Sequence, residues 1–215
     1  KILTVMEPGC NDGCNLLPYL ENKINVYGCD FDKDSIEIGR NAGVNIIEGD
    51  IDSLIAINKK ADLIILSHLI AHISDLNDFL KKIQLLLSPG GYVYIETPSF
   101  RYWGKKKWWQ KKNKDLLNFL QFEFVNIFEK KTLLDFMNKH NLEPLTINNK
   151  IHGIFQKKKE INFPKSKFHE LNYGNNVLND LKLIEENYLK HLKSFIHFLS
   201  KIKKLIKSLK FNSFS

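Results

Sequence analysis

The sequence predicts an α/β fold with a doubly wound, mostly parallel sheet. In the first 100 residues, short β-rich runs alternate with amphipathic segments at helical spacing, as they do in βαβ units. Glycine and polar residues follow the β-rich runs, which is where parallel sheets place their ligand sites. The chain has 215 residues, of which 43% are hydrophobic, enough to form a core without disulfide bonds.

Each predicted element rests on its own local pattern. The strands are predicted over residues 2–7, 25–29, 44–47, 61–66 and 92–97, with a closing pair over 142–148 and 151–156. The helices are predicted over residues 14–20, 34–41, 75–87 and 130–140. Residues 61–66 are almost wholly apolar, as expected for a strand buried on both faces. Ile36 and Ile38 are expected to point inward, and residues 88–91, Ser-Pro-Gly-Gly, to break the chain.

Charge divides the chain into two parts. Residues 1–100 hold 8 Lys and Arg against 14 Asp and Glu, a net charge of −6, whereas residues 101–215 hold 24 against 10, a net charge of +14. We predict a ligand-binding domain over 1–156 and a basic helical extension over 157–215. A basic insert at about 100–125 is rich in Trp and Lys, which favours a lid that covers a bound substrate. A membrane-surface patch, a single-strand nucleic-acid site and a solvated helix face are the alternatives.

Composition also limits the compartment and the metal content. No apolar run reaches the roughly 18 residues of a transmembrane helix. There are three cysteines, Cys10, Cys14 and Cys29, and neither their odd number nor their spacing indicates a disulfide framework or a zinc site. We therefore expect a reducing, cytoplasmic location and no metal.

The strongest motif is Glu-x-Gly-x-Asn-x-Gly at residues 7–13, between the first predicted strand and the first helix. Gly9 and Gly13 let the backbone turn sharply and approach a ligand closely. The spacing is not that of dinucleotide-binding loops, and no Gly-Lys-Ser/Thr follows to hold a triphosphate. Glu7 at the start of the loop favours a ligand with a cationic amine. An ordinary turn between strand and helix is the alternative.

Two further acidic positions follow strands. Asp30 ends the second predicted strand, where a carboxylate can accept two hydrogen bonds from a ribose diol. Asp50 and Ile51 follow the third strand and offer a carboxylate for an adenine amino group and an apolar side chain for the ring. A plain turn at Asp30 and helix capping at Asp50 are the alternatives.

Taken in order, these residues resemble the class I S-adenosylmethionine-dependent methyltransferases over about residues 1–156. Two more stretches carry the resemblance. They are residues 62–75, which contain Ser-His-Leu-Ile-Ala-His-Ile, and residues 85–98, where Pro-Gly-Gly precedes an apolar strand that ends in Glu-Thr-Pro. The resemblance implies a seven-stranded Rossmann-like methyltransferase sheet whose last two strands form a hairpin. It also implies S-adenosylmethionine as cofactor and S-adenosylhomocysteine as product.

The resemblance assigns roles to residues at the strand ends. Glu7 and Gly9 would contact the methionine end of the cofactor. Asp30 would bind the ribose, and Asp50 and Ile51 would bind the adenine. Ser67 and His68 would flank the sulfonium. The full set of expected cofactor-binding residues is Glu7, Gly9, Cys10, Asn11, Gly13, Asp30, Phe31, Asp50, Ile51, Ser67 and His68.

Transfer to a hydroxyl needs a base, and histidine is the natural one near neutral pH. His68 and His72 are the first candidates, followed by Glu123 and then Glu96. His68 directly follows the fourth predicted strand, whereas His72 keeps a histidine that is common in related enzymes. A packed histidine beneath the cofactor loop is the alternative role for His72.

The chain departs from the family pattern at two places. Related enzymes commonly show Leu-Glu-His-Ile where this chain has Ala71 before His72, and they show a histidine where it has Phe124. These losses leave open a non-catalytic, cofactor-binding partner subunit.

The acceptor expected from the resemblance is a carbohydrate or a phosphate-bearing glycan precursor, methylated on oxygen. The passages around His68 and Glu96 are similar to bacterial methyltransferases of sugars and polysaccharide precursors, and to those of quinone or lipid precursors. A quinone or lipid precursor and RNA are the alternative acceptors. A small or glycan-linked anionic molecule is the expected partner, and nucleic acid is not. Membrane-surface contact and a homodimer stay open.

Overall fold

The computed structural model describes residues 1–99 and 124–158, together with Lys182 and Lys193. The chain divides into two compact units, and both described ranges lie within the first. The predicted insert at about 100–125 lies outside the described residues up to residue 123. The predicted helical extension over 157–215 lies outside them beyond residue 158, apart from the two single lysines.

A seven-stranded sheet forms the centre of this unit, in the order β3-β2-β1-β4-β5-β7-β6. Its strands are β1 (Thr4–Pro8), β2 (Asn25–Asp30), β3 (Asn45–Glu48), β4 (Ala61–Ser67), β5 (Leu87–Glu96), β6 (Leu142–Ile147) and β7 (His152–Lys157). The first five strands are parallel, and β7 runs antiparallel between β5 and β6. The predicted doubly wound, mostly parallel sheet with a closing hairpin is confirmed.

Five helices lie between the strands in the part of the chain that the structure describes. They are α1 (Leu17–Glu21), α2 (Lys33–Asn41), α3 (Ile51–Ala56), α4 (Leu76–Leu86) and α5 (Lys130–Lys139), and a 3₁₀ turn covers Ile70–His72. Aspartates begin three of the helices: the side chains of Asp32, Asp50 and Asp75 each accept a hydrogen bond from a backbone N–H of the first turn, which satisfies a donor that has no partner within the helix. Among the described residues, no helix has the length and apolar character needed to cross a membrane.

The core consists of two apolar layers, one on each face of the sheet. Ile64 and Leu66 belong to the layer that contains α4, and Leu63 and Ile65 belong to the layer that contains α2. Adjacent residues separate in this way because successive side chains of a strand point to opposite faces. Strand β4 is therefore covered on both sides, as its apolar sequence predicts.

Two expectations for the connections between strands and helices were wrong. Helix α1 begins at Leu17 and not at residue 14, because successive turns precede it: Gly13 N donates to Cys10 O and Leu16 N donates to Gly13 O, each at 2.8 Å. Strand β5 begins at Leu87, which pairs with Ala61 across a register shift. The Ser-Pro-Gly-Gly stretch thus lies within the strand as an irregularity, and the pairing with β4 resumes at Tyr92 opposite Leu63.

Two further corrections concern helices. Ile36 is 3% exposed, but Ile38 is 61% exposed, because residues two apart lie about 200° apart around a helix of 3.6 residues per turn. Helix α3 was not predicted, since its six residues are too few to show a helical period.

Candidate active site

The carboxyl ends of the parallel strands lie along one edge of the sheet. Glu7, Asp30, Ser67 and Glu96 sit at or next to the ends of β1, β2, β4 and β5, and Ser67 is the register partner of Glu96. From β1 the chain winds outward through β2 to β3 and then returns to β4 on the other side. This reversal is where open α/β sheets bind their ligands.

The loop after β1 is held against the end of β2. Gly9 N and Cys10 N both donate to Cys29 O, at 2.8 and 3.1 Å. Gly9 and Gly13 have φ values of +67° and +73°, a region that favours glycine. A Cβ atom on Gly9 would also lie 2.9 Å from Cδ1 of Leu69. Both glycines of the motif are therefore required by the backbone itself.

Glu7 is a buried carboxyl with one unsatisfied oxygen. Its exposure is 1%, its Oε1 accepts a hydrogen bond from Asn15 Nδ2 at 2.8 Å, and its Oε2 has no hydrogen-bond partner among the described residues. Burial raises the pKa of Glu7 to about 7; the Asn15 bond opposes this, and the charges of Asp12 and Asp30 add to it. A cationic group would satisfy Oε2, so this oxygen fits the ammonium group of S-adenosylmethionine.

The carboxylate of Asp30 is fixed by backbone donors. Its Oδ2 accepts from Asn11 N at 2.8 Å, and its Oδ1 accepts from Phe31 N at 2.7 Å and from Asp32 N at 3.0 Å. A carboxylate has roughly four acceptor positions, so three are occupied and one is left for a hydroxyl group. Asp30 can therefore accept one hydrogen bond from a ribose as it stands. A second hydrogen bond from the ribose diol would have to replace one of the backbone donors.

The residues expected around the adenine differ in what they offer. Asp50 caps α3 through its Oδ1, which accepts from Asp52 N at 3.0 Å, so the capping alternative is observed. Ile51, the apolar residue expected at the adenine, is 5% exposed, whereas Phe31, expected only as a cofactor-binding residue, is 71% exposed. Phe31 therefore exposes much more surface than Ile51 against which an adenine ring could pack.

Cys10 and Asn11 can contribute mainly through their backbone. Cys10 is 4% exposed, and burial raises the pKa of its thiol to about 12, so it packs as a neutral apolar group. Asn11 has a φ of +52°, and its Oδ1 accepts a hydrogen bond from Asp12 N at 2.8 Å. These contacts hold the loop in shape beside Glu7.

A second polar cluster surrounds Glu96 at the ends of β4 and β5. Nε2 of His68 lies 3.5 Å from Glu96 Oε1, and Nε2 of His152 lies at the same distance from the same oxygen. Tyr94 Oη donates to Glu96 Oε2 at 3.0 Å. Burial, together with this bond and the charge of Glu96, raises the pKa of Tyr94 to about 12, so its hydroxyl stays a donor. His68 N donates to Glu96 O at 2.7 Å.

Sequence reasoning placed His68 and Glu96 among the candidates but missed Tyr94 and His152. Tyr94 and Glu96 are two apart in a strand, so a shared face could have been inferred. His152 is the register partner of Glu96 in the antiparallel pair of β5 and β7. That register depends on which strand β7 joins, and the local sequence does not specify it.

His72, another candidate for the base, lies beside residues 124–126. His72 is exposed, and its ring centroid lies 5.3 Å from that of Phe124. Val125 N and Asn126 N both donate to Ala71 O at 2.9 Å. The two departures from the family pattern are thus neighbours in space, while Glu123 lies outside the described residues.

The sheet order, the glycine loop after β1 and the acidic residues at the ends of β1 and β2 define the class of S-adenosylmethionine-dependent methyltransferases. The chain belongs to the methyltransferase domain family, whose model matches residues 3–147. It is therefore an enzyme of this class, with S-adenosylmethionine as its cofactor. No curated protein matches the chain.

Solved structures share the fold. An S-adenosylmethionine-dependent methyltransferase from Methanosarcina mazei is 18% identical, with a TM-score of 0.55 over 73% of this chain and 93% of that one. The PH0226 protein from Pyrococcus horikoshii OT3 is 20% identical, with a TM-score of 0.56 over 72% and 82%. For a methyltransferase from Archaeoglobus fulgidus the identity is 20% and the TM-score 0.50, over 65% of this chain and 61% of that one. The chain thus spans less than two thirds of the Archaeoglobus protein.

Proposed function

We propose that this enzyme methylates a hydroxyl group of a carbohydrate or of a phosphate-bearing glycan precursor, with His68 as the base. The observation that carries the proposal is the pairing of His68 with Glu96 at the end of β4, where the two side chains lie 3.5 Å apart. Bound S-adenosylmethionine supplies an activated methyl group. The remaining chemistry, orientation of the acceptor and removal of its proton, falls to the chain.

Glu7 and Asp30 are the residues proposed to hold the cofactor. The unsatisfied Oε2 of Glu7 would receive an ammonium group, and the fourth acceptor position of Asp30 would receive a hydroxyl group. The exposed ring of Phe31 offers apolar surface beside them. The positive φ values of Gly9 and Gly13 favour glycine, and because glycine has no side chain, the cofactor can approach the backbone of this loop closely.

His68 is suited to take a proton from an acceptor hydroxyl. Its side chain is 60% exposed, whereas that of Glu96 is 28% exposed, so an acceptor reaches the imidazole before the carboxylate. The negative charge of Glu96 stabilises the imidazolium that forms when the ring takes the proton. His72 contacts Phe124, and the residue before it is Ala71, where related enzymes commonly have a glutamate.

The anionic character of the acceptor rests on charge. Residues 101–215 carry a net charge of +14, and a concentrated positive charge attracts anions over a Debye length of roughly 8–10 Å. The Trp and Lys residues of the insert would add stacking and phosphate contacts. A cytoplasmic location follows from the cysteine content as a prediction.

Transfer of a labelled methyl group to a panel of acceptors tests the proposal. The panel contains nucleotide sugars, phosphorylated glycans, a quinol precursor and RNA, each with S-adenosylmethionine labelled at the methyl group. We expect label as a methyl ether on a nucleotide sugar or glycan. Label confined to the quinol precursor or to RNA would replace the proposed acceptor, and cofactor binding without any transfer would favour a partner-subunit role.

The base is tested by His68→Ala and His72→Ala. General-base catalysis contributes about 100- to 10,000-fold, so we expect His68→Ala to lower turnover by at least about 100-fold while S-adenosylhomocysteine affinity stays within about twofold. His72→Ala should have a much smaller effect. Full turnover in His68→Ala would show that the base is another residue.

A further inference from the structure

The carboxylate of Glu96 is held by side chains from several strands at once. Its Oε1 lies 3.5 Å from Nε2 of both His68 and His152, and its Oε2 accepts from Tyr94 Oη. The side chain of His68 is 60% exposed, that of His152 39% and that of Glu96 28%. His68, the more exposed histidine, is therefore linked through Glu96 to His152, the less exposed one.

The turn before β7 places His152 at this position. Asn148 Oδ1 accepts from Lys150 N at 2.8 Å and from His152 N at 3.1 Å, and Asn148 N donates to His152 O at 3.1 Å. Because β7 is antiparallel to β5, its first residue lies beside the last residue of β5, which is Glu96. The hairpin thus delivers a second imidazole to the carboxyl edge of the parallel strands.

We propose that His152 is a positioning residue for His68 and that it acts through Glu96. The two Nε2 atoms lie 3.5 Å from Glu96 Oε1, and a carboxylate can only accept a hydrogen bond, so we infer that Nε2 of each ring carries the proton. Both rings present Nε2 to Glu96, which leaves Nδ1 of His68 as the basic nitrogen. This inference rests on the proposed role of His68 as the base.

His152 matters because a glutamate carboxylate turns easily about its last torsion. Tyr94 donates to Oε2, and His152 lies 3.5 Å from Oε1. Without His152, Oε1 would be held by His68 alone, at a position open to water. The proton of His68 would then spend part of its time on Nδ1, where it blocks the base, and the imidazole would also lose its fixed position. Together we expect these effects to lower turnover about tenfold.

Nitrogen-15 NMR of the imidazole rings tests this inference without an acceptor. The spectra are recorded on the full chain in complex with S-adenosylhomocysteine, at a pH where the histidines are neutral. In the wild type we expect His68 and His152 to carry their protons on Nε2. His152→Ala should convert His68 to a mixture of tautomers, and His152→Gln, which keeps an N–H donor, should restore the wild-type pattern.

His140 is the internal reference, since its Nε2 lies 3.0 Å from Asn77 Oδ1, in a separate contact between α5 and α4. Its signals should stay unchanged in every variant, which shows that the fold is intact. Glu96→Gln should disturb both His68 and His152. An unchanged His68 tautomer in His152→Ala would overturn the proposal, whatever Glu96→Gln shows.

Turnover separates this inference from the proposed function. With an acceptor found in the labelled panel, we expect His152→Ala to lower kcat about tenfold and His152→Gln to recover most of it, with unchanged affinity for S-adenosylhomocysteine. Full turnover in His152→Ala, together with loss of turnover in His68→Ala, would overturn the role of His152 and leave the proposed function standing. If no hydroxyl acceptor takes label, the proposed function fails and the NMR result still decides the positioning contact.

Discussion

Replacing Glu7 by Gln removes a carboxyl group that burial makes difficult to ionise. The pKa of Glu7 is about 7 in the folded protein and 4.5 for the ordinary group. Between these pH values the folded chain retains a proton that the unfolded chain has lost. The free energy of unfolding therefore falls as the pH rises through this range. At about 1.4 kcal/mol per pKa unit, the loss amounts to roughly 3 kcal/mol and is complete above about pH 7.

Urea denaturation of the cofactor-free protein measures this effect. Glu7→Gln cannot ionise, and its side-chain oxygen can still accept the Asn15 hydrogen bond. Relative to the wild type, its free energy of unfolding should therefore rise by roughly 3 kcal/mol between pH 4.5 and pH 8. The exposed Glu37 of α2 gives the matched control, since Glu37→Gln should follow the wild type. A difference between Glu7→Gln and the wild type that does not change with pH would refute the burial argument.

Ionisation of Glu7 lowers the stability of the cofactor-free protein, but it should strengthen cofactor binding. The ionised carboxylate is the form that pairs with an ammonium group, so the affinity of the wild type for S-adenosylhomocysteine should fall as the pH drops below about 7. Glu7→Gln should bind more weakly than the wild type at pH 8 and should lose this part of the pH dependence. Calorimetry at pH 6 and pH 8 measures both. Equal affinities at pH 8 would show that Glu7 does not hold the cofactor.

Three further substitutions have defined outcomes. Asp30→Asn should weaken S-adenosylhomocysteine binding about tenfold, as one charge-assisted hydrogen bond predicts, and unchanged affinity in calorimetry would contradict the ribose role. Gly39→Ala should lower the free energy of unfolding by about 1–3 kcal/mol, although alanine favours helices, because its Cβ would lie 2.4 Å from Asp12 O; a more stable variant in urea would disprove the clash. Asp62→Ala should cost about 1–3 kcal/mol, because its Oδ2 accepts from two backbone N–H groups at the start of β1, at 2.8 and 3.1 Å. Thermal unfolding would detect the loss, and an unchanged melting temperature would contradict it.

The features that could be predicted from the sequence are those encoded over short distances. The apolar run of β4 and the glycines after β1 indicate a parallel sheet with a loop at its carboxyl edge, and the structure has both. Glu7 and Asp30 were identified because each lies at the end of a β-rich run. The period of a strand and the conformational needs of a turn are local properties, so a single sequence carries them.

The Glu96 cluster could be predicted only in part, because it depends on strand pairing over a long separation. Tyr94 lies on the same strand as Glu96, but His152 reaches it only because β7 inserts between β5 and β6. Nothing near residue 152 specifies that neighbour. Burial is also a property of the assembled fold, so neither the unsatisfied oxygen of Glu7 nor its raised pKa follows from the motif alone.

The insertion of β7 has a consequence for synthesis of the chain. Glu96 and His152 are register partners, yet the ribosome makes them 56 residues apart. At roughly 5–20 residues per second, β5 waits about 3–11 s for its partner, and during that time it presents an unpaired edge that other chains can pair with. The step that closes this edge also brings His152 to Glu96. The vulnerable period of the nascent sheet therefore ends when this histidine cluster is completed.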